Sequence, residues 1–219
     1  MTFSIIAIDK KNGDLGGAVA SKLVSVGSLV THAKHGIGLA AVLTGRSKPI
    51  RFKYGEEALK LLAKGYDAHQ VLEHLLKVDN NSEEMQISII DIKGKVACFT
   101  GRKMPPWCGH LSGEGFSVQG NTLAGSIVVE KMFETFKSKS DDLATRLAIS
   151  LESGDLAGGD RRGKQAAGLL VLRDFGGAMG FNDDLVNIRV DDHPEPVKEL
   201  LRLKTIFEEA FRSKRVWSN

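Results

Sequence analysis

The chain opens with Met1-Thr2-Phe3-Ser4-Ile5-Ile6-Ala7-Ile8-Asp9, and an Asn12-Gly13 pair joins this run to a second one, Asp14-Leu15-Gly16-Gly17-Ala18-Val19-Ala20-Ser21-Lys22. Asn-Gly between two apolar runs indicates a β-hairpin, because both residues accept the positive φ angles of a type I′ turn. Removal of Met1 leaves Thr2 with a hydroxyl and an α-amine on one residue, a nucleophile with its own base. The segment therefore predicts both a strand pair and a candidate catalytic residue.

The remainder of the sequence alternates between blocks of strands and pairs of helices. Short β-branched or Gly-rich runs predict the strands, and apolar residues at helical spacing predict the helices. Because hairpin-linked strands do not suit a βαβ alternation, the order predicts antiparallel sheets covered by helix layers, in one domain of residues 1–219. The predicted strands after the hairpin are 26–32, 37–43, 85–91, 96–100, 115–119, 167–173 and 185–190, and the predicted helices are 54–64, 68–77, 123–137, 141–152 and 194–215.

Composition excludes several classes of function. Of the 219 residues, 42% are hydrophobic and 26% are charged, and the formal net charge is only +3. Lys and Arg are scattered among nearly as many Asp and Glu, so we expect neither a nucleic-acid surface nor a membrane surface. No apolar run approaches the roughly 18 residues of a membrane span and no signal peptide opens the chain, which predicts a cytoplasmic protein.

The two cysteines do not predict a metal site. Cys98 lies in a predicted strand and Cys108 in a Pro-rich turn, without CxxC spacing or a second pair, so both are expected to be reduced thiols. His110, after Pro105-Pro106-Trp107, is expected to pack in a loop rather than to catalyse. We predict no metal and no cofactor.

Five separated motifs occur in order along most of the chain: Thr2-Phe3-Ser4-Ile5, Ala18-Val19-Ala20-Ser21-Lys22, Gly113-Glu114-Gly115-Phe116-Ser117-Val118-Gln119-Gly120-Asn121, Gly158-Gly159-Asp160-Arg161-Arg162-Gly163-Lys164-Gln165 and Arg189-Val190-Asp191-Asp192-His193-Pro194. With them the chain resembles an uncharacterised family, a domain of unknown function, in the N-terminal-nucleophile hydrolase superfamily. The resemblance implies an α+β fold, a four-layer αββα sandwich with two antiparallel sheets between helix layers. This architecture agrees with the element order.

The same resemblance implies a set of catalytic residues. In proteasome-like members, the nucleophile is a Thr at the start of the first strand, and a Gly amide near the end of the fourth strand helps to form the oxyanion hole. Thr2 and Gly45 are at similar places here, and Asp160 looks like the Asp that steadies the amine of the nucleophile. The Asp and the Lys of the proteasome pattern would fall near Ala20 and Thr31, where neither is present.

Two further basic residues and one amide complete the candidate site. Lys22 or Lys34 could substitute for the missing Lys. Asn121 follows a Gly at a strand-to-helix junction, where it either caps the next helix or donates from its side-chain amide to a developing oxyanion.

The loop of residues 158–164 is the candidate ligand-binding segment. Its glycines permit close approach of the backbone, and Arg161 and Arg162 can each bind a carboxylate or phosphate through the guanidinium fork; Lys22 is assigned to the same ligand. The alternative is a solvated turn in which Asp160 pairs with Arg161 or Arg162 and nothing binds. The GxxxxGK[ST] spacing of a P-loop is absent.

Three hypotheses for function follow. The first is a hydrolase of an amide-type bond in a small-molecule or peptide-like substrate, with Thr2 as nucleophile. The second is a non-catalytic module that binds a small anion through the 158–164 loop. The third is a structural homo-oligomer that uses the long last helix as its interface.

Overall fold

The computed structural model describes residues 2–44, 53–177 and 180–212, and it contains ten strands and five helices within those ranges. The strands are β1 (Thr2–Ile8), β2 (Leu15–Ser21), β3 (Thr31–Lys34), β4 (Gly38–Thr44), β5 (Met85–Asp91), β6 (Val96–Thr100), β7 (Cys108–Gly113), β8 (Phe116–Asn121), β9 (Ala166–Leu172) and β10 (Asp184–Val190). The helices are α1 (Lys53–Ala63), α2 (Ala68–Val78), α3 (Ile127–Ser138), α4 (Leu143–Leu156) and α5 (Pro196–Arg212).

The predicted hairpin is confirmed, with a different turn. β1 and β2 pair antiparallel from Thr2 opposite Ser21 to Ile8 opposite Leu15. Residues 9–14 connect the two strands, and in this loop Gly13 has a φ of 80° but Asn12 does not have a positive φ. Asn12 instead accepts a hydrogen bond from the Asp14 amide through its Oδ1. The turn is therefore not the type I′ turn expected for Asn-Gly.

Two antiparallel sheets form the centre of the molecule. The six-stranded sheet has the order β10-β9-β2-β1-β8-β7, and the four-stranded sheet has the order β3-β4-β5-β6. Side chains alternate between the two faces of each strand, so every strand contributes to two layers. The outer face of the six-stranded sheet packs against α3, α4 and α5, and that of the four-stranded sheet packs against α1 and α2. The fold is therefore the expected α+β, four-layer αββα sandwich.

The layer between the sheets has an apolar half and a polar half. Ile6, Leu15, Val19, Leu39 and Ile90 belong to the apolar half, and all of them are buried. The polar half is built by residues of β1, β5, β6, β7 and β8 that face inward: Ser4, Gln86, Ser88, Cys98, Thr100, His110, Ser117, Gln119 and Asn121. The candidate site lies on this polar half.

Two predictions of local structure were wrong. Residues 26–32 do not form one strand, because the chain makes a 3-10 turn at Val26–Ser28 after Ser25, whose φ is 56°, and β3 begins only at Thr31. Cys108 and His110 do not lie in a turn or loop but in β7, an edge strand. Leu111, which points away from the other sheet, is exposed, so β7 lacks the apolar alternation by which strands are predicted.

Candidate functional site

Four separate segments meet at one end of the six-stranded sheet. Thr2, at the start of β1, pairs with Ser21, at the end of β2. Lys22, the next residue, donates its backbone amide to Asp160 Oδ2 at 3.5 Å. Asp160 in turn forms an isolated β-bridge with Leu123, just after the end of β8. The fold therefore brings the 158–164 loop to the end of the sheet at which Thr2 lies.

Thr2 is enclosed at this position. Only 3% of its surface is exposed, and its hydroxyl donates to Ser21 Oγ at 3.1 Å. Phe3 packs into the outer core, so the alternation along β1 directs Thr2 toward the other sheet. Phe3 pairs with Gly120, which places Thr2 beside Asn121 on the neighbouring strand.

Gln86, from the opposite sheet, determines the orientation of the Asn121 amide. Gln86 Nε2 donates to the carbonyl oxygens of Gly109 and Gly120 at 2.8 and 3.0 Å. Carbonyl oxygens only accept hydrogen bonds, so this end of the Gln86 amide is its nitrogen, and its Oε1 is left to accept from Asn121 Nδ2 at 3.2 Å. Asn121 Oδ1 is consequently turned away from Gln86, and it is buried without a partner among the described residues.

This arrangement corrects one of the two expectations for Asn121. It is not a helix cap, since it ends β8 and the cap position of α3 is occupied by Ser126. One hydrogen of its Nδ2 is engaged by Gln86, and its unpartnered atom is an acceptor. A role for the amide as oxyanion donor stays a prediction.

Three buried polar atoms at this end have no hydrogen-bond partner in the part of the chain that the structure describes. They are Ser4 Oγ on β1, Asn121 Oδ1 at the end of β8 and Thr122 Oγ1 on the residue that follows β8. Most buried polar groups in proteins have a hydrogen-bond partner, and a group of them without partners is found at sites for water, an ion or a reactant. Three of the six such atoms among the described residues therefore lie on segments that meet at the Thr2 end of the sheet.

Asp160 is a buried carboxylate that holds the loop together. Its side chain has 0% exposure, and it binds Arg162 through both oxygens, with Nη2 at 2.6 Å and Nε at 3.1 Å. The Arg162 backbone amide adds a bond of 3.0 Å, and the Arg161 amide donates to the carbonyl of Thr122. Arg162 is thus engaged by Asp160 as one of the sequence hypotheses proposed, whereas Arg161 is exposed.

The other basic residues of the site differ in their environment. Lys22 is exposed, and its side chain passes close to Gly163, so it lies beside the loop. Lys164 Nζ contacts Asp155 at 2.6 Å and Glu195 at 2.9 Å. Burial by itself lowers the pKa of Lys164, but its bonds to the two carboxylates raise it above the ordinary value, so this ammonium stays charged. Lys164 anchors the loop to α4 and α5.

The remaining positions named from the sequence differ in their outcome. Gly45 lies outside the described residues. Ala20, where the proteasome pattern has an Asp, packs into the outer core with the helices. Lys34 ends β3 and is exposed.

Sequence patterns did not predict that Gln86, Thr100 and His110 belong to this polar half. Thr100 Oγ1 accepts from Gln86 Nε2 at 2.9 Å, and its hydroxyl can then donate to His110 Nδ1, 2.8 Å away. The signal that could have found Gln86 is a polar residue at an inward position of Met-Gln-Ile-Ser-Ile-Ile-Asp, an otherwise apolar strand. His110 carried no comparable signal, because β7 was not predicted.

His110 makes the stability of the fold depend on pH. Burial lowers its pKa below the ordinary 6.5, so the unfolded chain takes up the proton at a higher pH than the folded chain does. Protonation thus favours unfolding, and we expect the free energy of unfolding to fall as the pH drops below about 6.5. Urea titrations at pH 7.5 and pH 5 should show a smaller decrease for His110→Asn than for the wild type. The exposed His69→Asn variant should lose as much stability between the two pH values as the wild type does. If His110→Asn also loses as much as the wild type, the prediction is wrong.

Both cysteines are free thiols, and burial raises the pKa of each, which disfavours the thiolate. No group of three or more His, Cys, Asp or Glu side chains suited to a metal ion occurs within residues 2–44, 53–177 and 180–212. In the same ranges, no helix is long and apolar enough to cross a membrane.

Comparison with known proteins assigns the family. The family described as "Family of unknown function (DUF1028)" matches residues 2–200. The chain belongs to the DUF1028 family. Among curated proteins, no sequence matches this DUF1028 chain.

Two solved structures are similar to this DUF1028 protein. A crystal structure of a DUF1028 protein from Silicibacter pomeroyi superposes with a TM-score of 0.84 at 27% identity, and the match covers 94% of this chain and 86% of that one. Eukaryotic HslV from Trypanosoma brucei matches with a TM-score of 0.43 at 10% identity, over 78% of this chain and 99% of that one. The first similarity supports the sandwich fold, and neither structure assigns a reaction to DUF1028.

Proposed function

We propose that this DUF1028 protein hydrolyses an amide-type bond in a small-molecule or peptide-like substrate, with Thr2 as an N-terminal nucleophile once Met1 has been removed. The observation that carries the proposal is Asn121 Oδ1, a buried acceptor without a donor on the strand beside Thr2. The substrate can belong to either class, small-molecule or peptide-like.

The chemistry needs two groups of the same residue. The Thr2 hydroxyl attacks the carbonyl carbon of the amide while the α-amine accepts the hydroxyl proton, and the proton then passes to the departing amine. A water molecule hydrolyses the resulting acyl-Thr2 ester, which releases the acid and restores the hydroxyl. An α-amine with a pKa of about 7.7 to 8.0 is neutral in a substantial fraction of molecules near pH 7 and can act as this base.

The surroundings of Thr2 suit an amine that carries hydrogen atoms. Asn121 Oδ1 is an acceptor with no donor, held in that orientation by Gln86, on the strand next to Thr2. The hydroxyl oxygens of Ser4 and Thr122 can accept as well. An α-amine supplies two or three N–H donors, where a peptide nitrogen supplies one. The α-amine that removal of Met1 leaves on Thr2 has N–H groups to offer to Asn121 Oδ1.

The test is removal of Met1 followed by labelling. Purified protein is treated with a methionine aminopeptidase until its intact mass shows complete loss of Met1, and it is then incubated with a β-lactone, which acylates N-terminal Thr. Peptide mapping by mass spectrometry should place the acyl group on Thr2 in the processed protein and not in the protein that retains Met1. Absence of the label from fully processed, folded protein rejects the nucleophile.

A second candidate function, binding of a small anion by the 158–164 loop, is favoured by one observation. Lys22 and Arg161 are both exposed at the same loop, while the positive charge of Arg162 is neutralised by Asp160. If the loop is a binding module, inorganic phosphate should bind with an affinity that Arg161→Ala lowers and Arg202→Ala, on α5, does not. Phosphate binding without any labelling of processed Thr2 selects this function over the hydrolase.

A further inference from the structure

We propose that a cavity separate from the Thr2 site binds a short carboxylate. The cavity has a volume of about 210 Å³ and lies on the inner face of β2 and β9, below β3 and the Val26–Ser28 turn. Gly17 of its lining is four residues along β2 from Ser21, which corresponds to about 13 Å. Thr2, Asn121 and Asp160 do not line it, so this inference does not depend on the proposed function.

Glycines determine the shape of the cavity wall. A Cβ atom on Gly168 would lie 2.6 Å from the Cα of Gly27, so the 3-10 turn sits directly on β9 only because both residues lack side chains. A Cβ atom on Gly17 would lie 2.8 Å from the carbonyl oxygen of Ile5 and 3.1 Å from Thr31 Cγ2. The wall is therefore largely rigid backbone of a central sheet, which is the kind of preformed surface that binds ligands at low entropic cost.

The polar groups of the lining are those that a carboxylate needs. Arg189 is the charged residue among the described residues that line the cavity, so the electrostatic preference is for an anion. Arg189 Nη2 is 3.3 Å from Asp191 Oδ2 in this structure. Because both side chains are nearly half exposed, this ion pair is weak, and a ligand can replace Asp191 as the partner of Arg189. A guanidinium binds a carboxylate through two parallel hydrogen bonds.

Two hydroxyl residues, Thr31 and Ser28, complete the polar lining. The Thr31 methyl group, and not its hydroxyl, is the atom that lies close to Gly17, since Thr31 Oγ1 is buried. Ser28 donates its hydroxyl to the carbonyl of Ser25 at 2.8 Å, which leaves its oxygen able to accept. A ligand that carries a hydroxyl or amino donor beside its carboxylate can bind the Ser28 oxygen while Arg189 holds the charge.

Size limits the ligand. At roughly 30 Å³ for each water molecule of the liquid, the cavity holds the equivalent of about seven waters. It is smaller than the roughly 300 to 1,000 Å³ of sites for drug-sized molecules. The class that fits is a short dicarboxylate or a hydroxy- or amino-carboxylate.

The experiment is an NMR titration of ¹⁵N-labelled protein with malonate, and with the neutral malonamide as the matched control. The amide signals of Gly17, Gly27 and Gly168 should shift and saturate with malonate and should not move with malonamide. Arg189→Gln should weaken malonate binding about tenfold or more. Arg202→Gln on α5 should leave the affinity unchanged.

The proposal is overturned if malonate produces no saturable shift at these glycines, or if Arg189→Gln binds as the wild type does while its spectrum shows a folded protein. Equal binding of malonamide also overturns it, because the guanidinium would then not be the recognition element. Thr2→Ala should bind malonate normally. A failure of the cavity proposal therefore leaves the Thr2 hypothesis untouched, and the reverse also holds.

Discussion

Thr2→Ala is expected to lose β-lactone labelling completely and to reduce amide hydrolysis by roughly three orders of magnitude or more, since it removes the attacking oxygen and leaves only binding and orientation. Hydrolysis is measured on the amide or peptide substrate selected from a panel with Met1-free wild-type protein. Thr2→Ser keeps a hydroxyl and an α-amine and should retain measurable labelling and turnover. Ser112→Ala, which removes an exposed hydroxyl from β7 of the same sheet, should leave both unchanged.

Stability separates a catalytic loss from a structural one. The Thr2 hydroxyl makes one neutral hydrogen bond, to Ser21, so Thr2→Ala should lower the free energy of unfolding by only about 0.5 to 1.5 kcal/mol. Activity that survives in Met1-free Thr2→Ala excludes Thr2 as the nucleophile. If Thr2→Ser and Thr2→Ala both lose activity while their stability is unchanged, the site tolerates no change in the shape of residue 2.

Among the proposed variants, Asp160→Ala is expected to lower the free energy of unfolding the most, by about 2 to 3 kcal/mol. The side chain is wholly buried and accepts from Arg162 and from the Lys22 amide, so its removal leaves several donors unpaired. Breaking a fully buried ion pair costs about 3 to 5 kcal/mol, and a value at or below the lower end of this range applies here because 30% of the Arg162 side chain is exposed to solvent. Urea denaturation measures the change.

Two companion variants test the cause of that loss. Asp192→Ala removes an exposed carboxylate that accepts one hydrogen bond, from Gln165, and should cost less than about 1 kcal/mol. The double variant with Asp160→Ala and Arg162→Ala should be less destabilised than the sum of the two single variants, because no unpaired guanidinium is left behind. A loss below about 0.5 kcal/mol in Asp160→Ala itself would show that the loop does not depend on this carboxylate.

The sequence by itself determined the architecture. Ser4, Ile6 and Ile8 alternate with Phe3, Ile5 and Ala7, and this period of two assigns each side chain to one face of a strand before any contact is known. Apolar spacing in the helices is equally local, and so is the N-cap of α2, where Asp67 accepts from the Gln70 amide. Local signals sufficed because each of these features depends on residues within a few positions of one another.

Only the tertiary structure decided the chemistry of the candidate site. Gln86 orients Asn121 across 35 residues of sequence and from the opposite sheet, and Asp160 binds the Lys22 amide across 138 residues. Which acceptor is left without a donor depends on these distant partners, so no pattern around Asn121 could predict it. β7 was not predicted for a related reason. Its inward side chains meet a polar layer, so β7 lacks the buried apolar residues by which a strand is predicted from a sequence.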